Sequence, residues 1–244
     1  SFESPKVFDK LLMPKDSKLR ETVTIMNPLG EDYSIMRTTP LNGMLTSLST
    51  NYNRRNKNVR LYEIGNIYLP KTLPVTELPE ERTQFTLGMY GEGDFFTMKG
   101  VVEEFFDKVG LHEKISYDPN AGRSFLHPGR QANIVYRGNV VGYLGEIHPA
   151  VTDNYAIGER VYIAVIDMPF IVEYASFDRK YTGIAKYPAV TRDISMLMKK
   201  EILVGQVEEI IEKKGGKLVE SYHLFDLYEG SQIAEGYKSV AYSI

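Results

Sequence analysis

The stretch ANIVYRGNVVGYLGEI, residues 132–147, decides the fold class. Two runs rich in β-branched and aromatic residues, Ala132–Tyr136 and Val140–Ile147, flank Arg137, Gly138 and Asn139. Glycine and asparagine tolerate positive φ, so the junction has the chemistry of a hairpin turn. So short a connection joins antiparallel neighbours, since a parallel pair needs a crossover of about a dozen residues. Three more strands are predicted around it: Val59–Leu69, Gln84–Tyr90 and Val161–Ile166, the last after an Ile157-Gly158-Glu159-Arg160 turn. Lys71–Arg82, with two prolines and three glutamates, is expected to be a loop. Two helices interrupt the strands. Leu41–Asn56 carries Leu41, Met44, Leu45, Leu48 and Tyr52 at spacings of three and four, after a Thr38-Thr39-Pro40 start. Thr97–Val109 repeats the pattern with Val101, Val102, Phe105, Phe106 and Val109, and Gly110 stops it. The prediction is α+β: an antiparallel sheet with helices rather than a run of βαβ units.

Beyond the polar stretch Ser176–Pro188 the pattern becomes short and regular. Ile194–Met198 alternates as a strand, and Leu203–Lys214 is a helix with Leu203, Val207, Ile210 and Ile211 inward, ended by Gly215-Gly216. Leu218–Tyr228 is expected as a long strand, Glu229-Gly230-Ser231 as a turn and Lys238–Ile244 as a third strand. That is β-α-β-β, part of a ferredoxin-like unit. Such a sheet needs a second helix on its remaining apolar face, so the last domain is expected to be incomplete at its C-terminus.

Bulk composition narrows the function classes. Of 244 residues, 43% are hydrophobic and 25% charged, which excludes disordered, collagen-like and low-complexity chains. No window approaches the roughly 18 apolar residues of a membrane span. Ser1–Arg20 mixes proline, lysine and aspartate with apolar residues, unlike a secretory leader. A soluble protein with no membrane role is expected. The absence of cysteine removes disulfides, thiolate metal sites and cysteine nucleophiles, and fits a reducing, cytoplasmic location. With a net charge of −3, a phosphate-rich partner could be served only by local patches.

The motifs have ordinary readings beside their chemical ones. Gly91-Glu92-Gly93 lacks the third glycine of a dinucleotide loop, Phe96 standing in its place, and reads as a turn. Ser124, His127 and Asp153 could be written as a triad, but nothing sets a nucleophile on a sharp turn. His127-Pro128 and His148-Pro149 are better read as turns, and neither histidine has a partner at metal-ligand spacing. Glu103-Glu104 and Glu208-Glu209 fall on polar helix faces. The basic run Arg54, Arg55, Lys57 and Arg60 suits RNA phosphates, an acidic protein or a solvated helix end equally well. Tyr222, Phe225 and Tyr228 could stack on bases or fill a core. The part of the chain from Gly183 holds 8 Lys and Arg against 9 Asp and Glu, so RNA binding there would rest on local contacts.

Longer matches carry a family resemblance. Asn27-Pro28-Leu29, Met36-Arg37-Thr38-Thr39, Asn51-Tyr52-Asn53-Arg54 and Leu61-Tyr62-Glu63-Ile64-Gly65 resemble, in order, the β subunit of bacterial phenylalanyl-tRNA synthetase. Asp94-Phe95-Phe96, Lys99-Gly100-Val101-Val102-Glu103, Leu126-His127-Pro128-Gly129-Arg130 and Gly145-Glu146-Ile147-His148-Pro149 continue the resemblance. Tyr187–Ile194 and Phe225–Gly230 are similar to parts of that subunit's ferredoxin-fold anticodon-binding domain. The resemblance covers essentially the whole chain and maps to the C-terminal third of a longer subunit.

It implies two domains. Residues 1–182 would be a catalytic-like domain of class II synthetase fold, and residues 183–244 an anticodon-binding domain. The family enzyme is an (αβ)2 tetramer that attaches phenylalanine to its tRNA with ATP and Mg2+, and this fragment itself is expected to bind neither cofactor. A class II site clamps the ATP α-phosphate with an arginine, in a strand reading roughly F-E-I-G-x-x-Y-R-x-E. Here Tyr62-Glu63-Ile64-Gly65-Asn66-Ile67-Tyr68 is followed by Leu69-Pro70-Lys71. Leucine cannot donate to a phosphate, and lysine reverses the carboxylate's charge. The glycine-rich third motif also lacks its arginine, since Gly142-Tyr143-Leu144-Gly145 leads into Glu146-Ile147-His148. No catalytic and no metal-ligating residue is therefore predicted. The expected role is a fixed partner for the catalytic α subunit through one helix face, either that of Leu41–Asn56, with Leu41, Leu45, Leu48 and Tyr52, or that of Thr97–Val109. Arg192, Lys199 and Lys200 are the candidate RNA contacts. Two other classes remain open: a free-standing RNA-binding module, and an active nucleotide-dependent ligase with a non-standard site.

Overall fold

The computed structural model describes residues 2–111, 113–178, 181, 183 and 186–244. The chain forms two compact units, Ser1–Arg179 and Lys180–Ile244. The expected boundary between 182 and 183 falls where Arg179, Lys180, Thr182, Ile184 and Ala185 lie outside the described residues.

Unit 1 opens with the short strand β1 (Phe2–Glu3), helix α1 (Val7–Lys10) and β2 (Ile35–Met36), followed by α2 (Leu41–Asn53), β3 (Val59–Leu69), β4 (Glu80–Tyr90) and α3 (Phe95–Lys108). Then come β5 (Ser116–Asp118), β6 (Leu126–Tyr136), β7 (Asn139–Ile147), α4 (Pro149–Asn154), β8 (Val161–Asp167) and α5 (Met168–Tyr174). Six strands form one sheet in the order β3-β4-β8-β7-β6-β5, every neighbouring pair antiparallel. The β6–β7 turn is tighter than predicted. Tyr136 pairs with Asn139, and the two residues with positive φ are Arg137 and Gly138. Asn139 begins β7. The loop expected at Lys71–Arg82 also ends early, because β3 runs to Leu69 and pairs it with Glu80.

Strand β8 shows how the sheet is held. Val161, Ile163 and Val165 face one apolar cluster, and Tyr162, Ala164 and Ile166 face the other. Burial on both sides turns the strand into a continuous apolar run. The first face is covered by α2, whose Leu41, Met44, Leu45 and Leu48 are buried. This helix lies close because β4 presents Gly88, where a Cβ would stand 2.7 Å from the Met44 side chain and 3.0 Å from Leu48. Leu41, Leu45 and Leu48 are each 0% exposed, so the partner-facing role predicted for them is corrected: they bind their own sheet. Tyr52 packs edge-to-face on Tyr90, ring centroids 5.7 Å apart.

The second face is covered by α3. Its start is the Gly91–Gly93 turn, where Asp94 and Thr97 cap each other. Met98, Val102 and Phe106 are its buried residues, whereas Val101, expected inward, is 39% exposed. The helix meets the sheet with a 3.6-residue stripe, and Val101 falls just beside it.

Unit 2 contains β9 (Asp193–Lys199), α6 (Val204–Gly215), β10 (His223–Tyr228) and β11 (Tyr237–Ser243), in the sheet order β10-β11-β9. The predicted β-α-β-β pattern is present with one shortened strand: Gly216–Leu218 is a 3-10 turn and β10 begins only at His223. Helix α6 packs Val204, Val207 and Ile211 against Met198, Val240 and Tyr242. Leu203 and Ile210, expected inward, are 48% and 60% exposed. Three strands give the helix a narrow floor, and residues a quarter-turn off the contact line meet solvent.

Candidate functional site

The place where the resemblance calls for a phosphate-clamping arginine is the end of β3. There Leu69 lines a cleft of about 180 Å3 together with Arg82, Gln84, Arg123, Gly142, Tyr143 and Asp167. Neither arginine was singled out in the sequence, Arg82 lying just before the predicted start of β4 and Arg123 in the segment before β6, yet both are engaged. Arg82 donates to Glu80 at 3.0 and 2.7 Å and lies 3.7 Å from Asp167. Gln84 donates to the other oxygen of Asp167 at 2.8 Å. The Arg123 guanidinium lies 3.9 Å from the Tyr143 ring centroid and donates to Asn133 at 3.3 Å. Burial pushes the Tyr143 phenol up to about 12, so it stays protonated at neutral pH. Burial also works against the Arg123 cation, while Tyr143 and Asp167 oppose that effect. The cleft holds a network satisfied from within except at Gln84 Oε1 and Arg123 Nε, which are buried without a hydrogen-bond partner among the described residues, and Leu69 stands in its wall.

The two His-Pro motifs meet at the far end of β6 and β7. His127 Nδ1 accepts the Gly129 N–H at 3.1 Å, and His148 Nδ1 accepts the Ala150 N–H at 3.2 Å at the start of α4. Each ring closes a turn. The His127 atom that a triad carboxylate would orient is therefore already taken. Between the turns, Glu146 is 3% exposed and accepts Arg130 at 3.1 Å on both oxygens, with Arg160 at 3.9 Å. This pair, in which one Arg130 nitrogen bridges both Glu146 oxygens, is a structural clamp across a hairpin, and sequence spacing did not reveal it because a bulge at residues 126–131 sets the register.

In unit 2 the three candidate RNA contacts divide. Arg192 precedes β9 and Lys199 ends it, and at about 3.3 Å per residue the strand separates them by roughly 20 Å. Arg192 is tied to Ile244 by two backbone bonds of 2.8 Å. Lys199 pairs with Glu201 at 3.6 Å and Lys200 with Glu229 at 2.8 Å, all at exposed positions. Registry places Lys199 and Tyr228, read from the sequence, beside Leu197, Ser239 and Tyr237, which sequence reading missed. Leu197, Ser239 and Tyr228 form one cross-strand row, and Lys199 and Tyr237 share the same face two residues along. Leu197 is 59% exposed, and Tyr228 and Tyr237 are also open to solvent. Tyr222 belongs to the core side, where its ring lies 6.3 Å from Tyr242.

Comparison with known proteins bears on the family and the fold. Residues 1–168 match the family described as phenylalanyl tRNA synthetase beta chain CLM domain, and residues 185–244 match the ferredoxin-fold anticodon binding domain. The phenylalanine–tRNA ligase beta subunits of Clostridium acetobutylicum and Clostridium tetani are each 48% identical over all 244 residues. That of Bacillus subtilis is 36% identical over 89% of the chain. The chain spans about a third of these relatives, 31% of the clostridial subunits and 28% of the Bacillus one. Among solved structures, pyrrolysyl-tRNA synthetase from Desulfitobacterium hafniense aligns with a TM-score of 0.52 at 13% identity, over 68% of this chain and 58% of that one. This likeness concerns the fold. With matches along its whole length, the chain belongs to the phenylalanyl-tRNA synthetase beta chain family.

Proposed function

We propose that this chain is the non-catalytic, partner- and RNA-binding portion of a phenylalanine–tRNA ligase beta subunit. It supports ATP-dependent attachment of phenylalanine to its tRNA in the cytoplasm as part of an (αβ)2 holoenzyme. The observation that carries this reading is Leu69 in the wall of a small cleft whose arginines are engaged with Glu80, Asp167, Asn133 and Tyr143. At about 180 Å3 the cleft is smaller than the roughly 300–1,000 Å3 of ordinary ligand pockets. Asp167 is held by Gln84 and Arg82, and no cluster of three His, Asp or Glu suited to a metal occurs among the described residues. These residues do not fit ATP or Mg2+, so the chemistry belongs with the α subunit.

Exposed apolar residues support a protein interface on the second face of the sheet. Tyr62 and Ile64 on edge strand β3 are 73% and 59% exposed, and Tyr62 reaches α3 through Phe85 and Phe105. Lys199, Tyr228 and Tyr237 on the open face of unit 2 support RNA contact through charge and stacking. The test is size-exclusion chromatography with light scattering of the chain mixed with the matching α subunit. Co-elution, abolished in Ile64→Asp while each protein stays folded, is expected; separate elution of wild type would overturn the partner reading. ATP–pyrophosphate exchange by the chain alone would overturn the non-catalytic one.

A further inference from the structure

Helices α2 and α6 both end in a cationic turn, and the two turns differ. Helix α6 closes on Gly216 at φ 51, with Lys213, Lys214 and Lys217 around it. Glycine is the residue this left-handed position favours, and lysines there suit the negative end of the helix dipole. Helix α2 closes with a chain reversal of its own: Asn56 N–H donates to Asn51 O at 3.2 Å and Arg55 N–H to Tyr52 O at 2.8 Å. Its left-handed residue is Arg55, at φ 62. Leu12, Arg137 and Ala156 also have positive φ, so the conformation alone assigns no role, and its value is to aim the Arg55 side chain from a fixed turn.

The surroundings say what it is aimed at. Arg54, Arg55, Lys57 and Arg60 are all exposed, and none of their side chains has a hydrogen bond or ion pair among the described residues. The turn beneath them is braced: Tyr90 Oη donates to Asn56 O at 2.8 Å, and Asn58 Oδ1 accepts Glu92 N–H at 2.9 Å. A protein-docking surface needs an apolar centre. Between residues 53 and 60 the one aliphatic side chain, Val59, is buried. A phosphate backbone needs only ordered cations, and guanidinium groups match it with paired donors.

We propose that Arg54, Arg55, Lys57 and Arg60 form a second RNA-phosphate site, on unit 1, separate from the open sheet face of unit 2. It rests on the reading that the chain binds tRNA. The experiment measures binding of phenylalanine tRNA to the chain by fluorescence anisotropy across a salt series. Wild type is compared with R54Q/R55Q/K57Q/R60Q and with R192Q/K199Q/K200Q. Every cation that neutralises a phosphate adds about 0.7–0.9 to the steepness of log affinity against log salt, so the quadruple variant should be shallower by about three. If the quadruple variant keeps the wild-type slope while the unit 2 variant is shallower, the site is refuted and the tRNA-binding reading stands. If wild type shows no salt-dependent binding, both fall. Displacement of the tRNA by polyglutamate at equal charge concentration would assign the turn to an acidic protein instead. Arg55→Gly separates folding from binding: it should raise the unfolding temperature and lower the slope by about one, and an unchanged slope would remove Arg55 from the site.

Discussion

The two sheets of this molecule use their surfaces in opposite ways. The six-stranded sheet of unit 1 is covered on both faces, by α2 on one and α3 on the other, except along edge strand β3, where Tyr62 and Ile64 stay exposed, and strand β8 is buried from Val161 to Ile166. The three-stranded sheet of unit 2 has one helix, α6, on one face, and leaves Leu197, Tyr228 and Tyr237 open on the other. Burial on two sides stabilises a scaffold and consumes the side chains that could otherwise recognise a partner. An open face does the reverse. The cleft beside Leu69 belongs to the first kind, with its charges engaged internally.

The largest effect should come from the buried sheet. Ile163→Ala or Leu45→Ala, each at a 0% exposed site, should destabilise unit 1 by about 2–5 kcal/mol in urea unfolding. Leu197→Ala on the open face should cost no more than about 0.5 kcal/mol. Equal losses at Ile163 and Leu197 would break the comparison.

Next in size is the clamp at the hairpin end. Glu146→Ala removes the acceptor of Arg130 from a buried site and should cost about 1–3 kcal/mol. Arg130 is 42% exposed and can turn to water, which keeps the loss below that of a fully buried pair. Retention of full stability would mean that the hairpin register is set by the bulge alone.

Two carboxylates of unit 1 repeat the contrast between buried and open sites on a smaller scale, and their pH dependences have opposite signs. Burial raises the Glu3 carboxyl above its ordinary value, against a hydrogen bond from Asn42 and the nearby Arg37. A raised acid stabilises the fold below its unfolded value, and that benefit is lost as pH rises through the folded one. Glu3→Gln should therefore raise the unfolding temperature at pH 7 and change little below about pH 4. Asp9 is exposed and is lowered by hydrogen bonds from Lys15 at 2.8 Å and Arg20 at 2.7 Å. Its contribution is present above the unfolded value and lost as pH falls through the folded one. Asp9→Asn should thus lower the unfolding temperature slightly at pH 7, with the difference closing in acid. The same sign for both variants would contradict the assigned environments.

How far the sequence could be read depended on the range of the forces involved. Strand β3, the β6–β7 hairpin and helices α2, α3 and α6 were legible because periodicity and turn chemistry act over a few residues. The shortened β10 was not, since a 3-10 turn at Gly216–Leu218 takes the place of its expected start and pairing with β11 begins only at His223. The apolar stripe of α2 was visible too, but a stripe does not say what covers it. Gly88, more than thirty residues downstream, admits the helix to its own sheet and leaves Leu41, Leu45 and Leu48 nothing to offer a partner. At the candidate site, the leucine in place of the expected arginine could be read directly. That Arg82 and Arg123 stand beside it could not, because the cleft is assembled from separate strands that also bring Asp167 and Tyr143.

By itself, then, the sequence determined the antiparallel class and the two-part organisation, and the resemblance it carries puts Leu69 where a phosphate clamp would need a donor. Only the tertiary structure decided which charges are free. Arg82, Arg130 and Lys200 are paired, whereas Arg54, Arg55, Lys57 and Arg60 stand unpaired among the described residues, on a braced turn. Element type follows from local steric and hydrophobic pattern, while the fate of a charge depends on which distant group folding brings within about 4 Å.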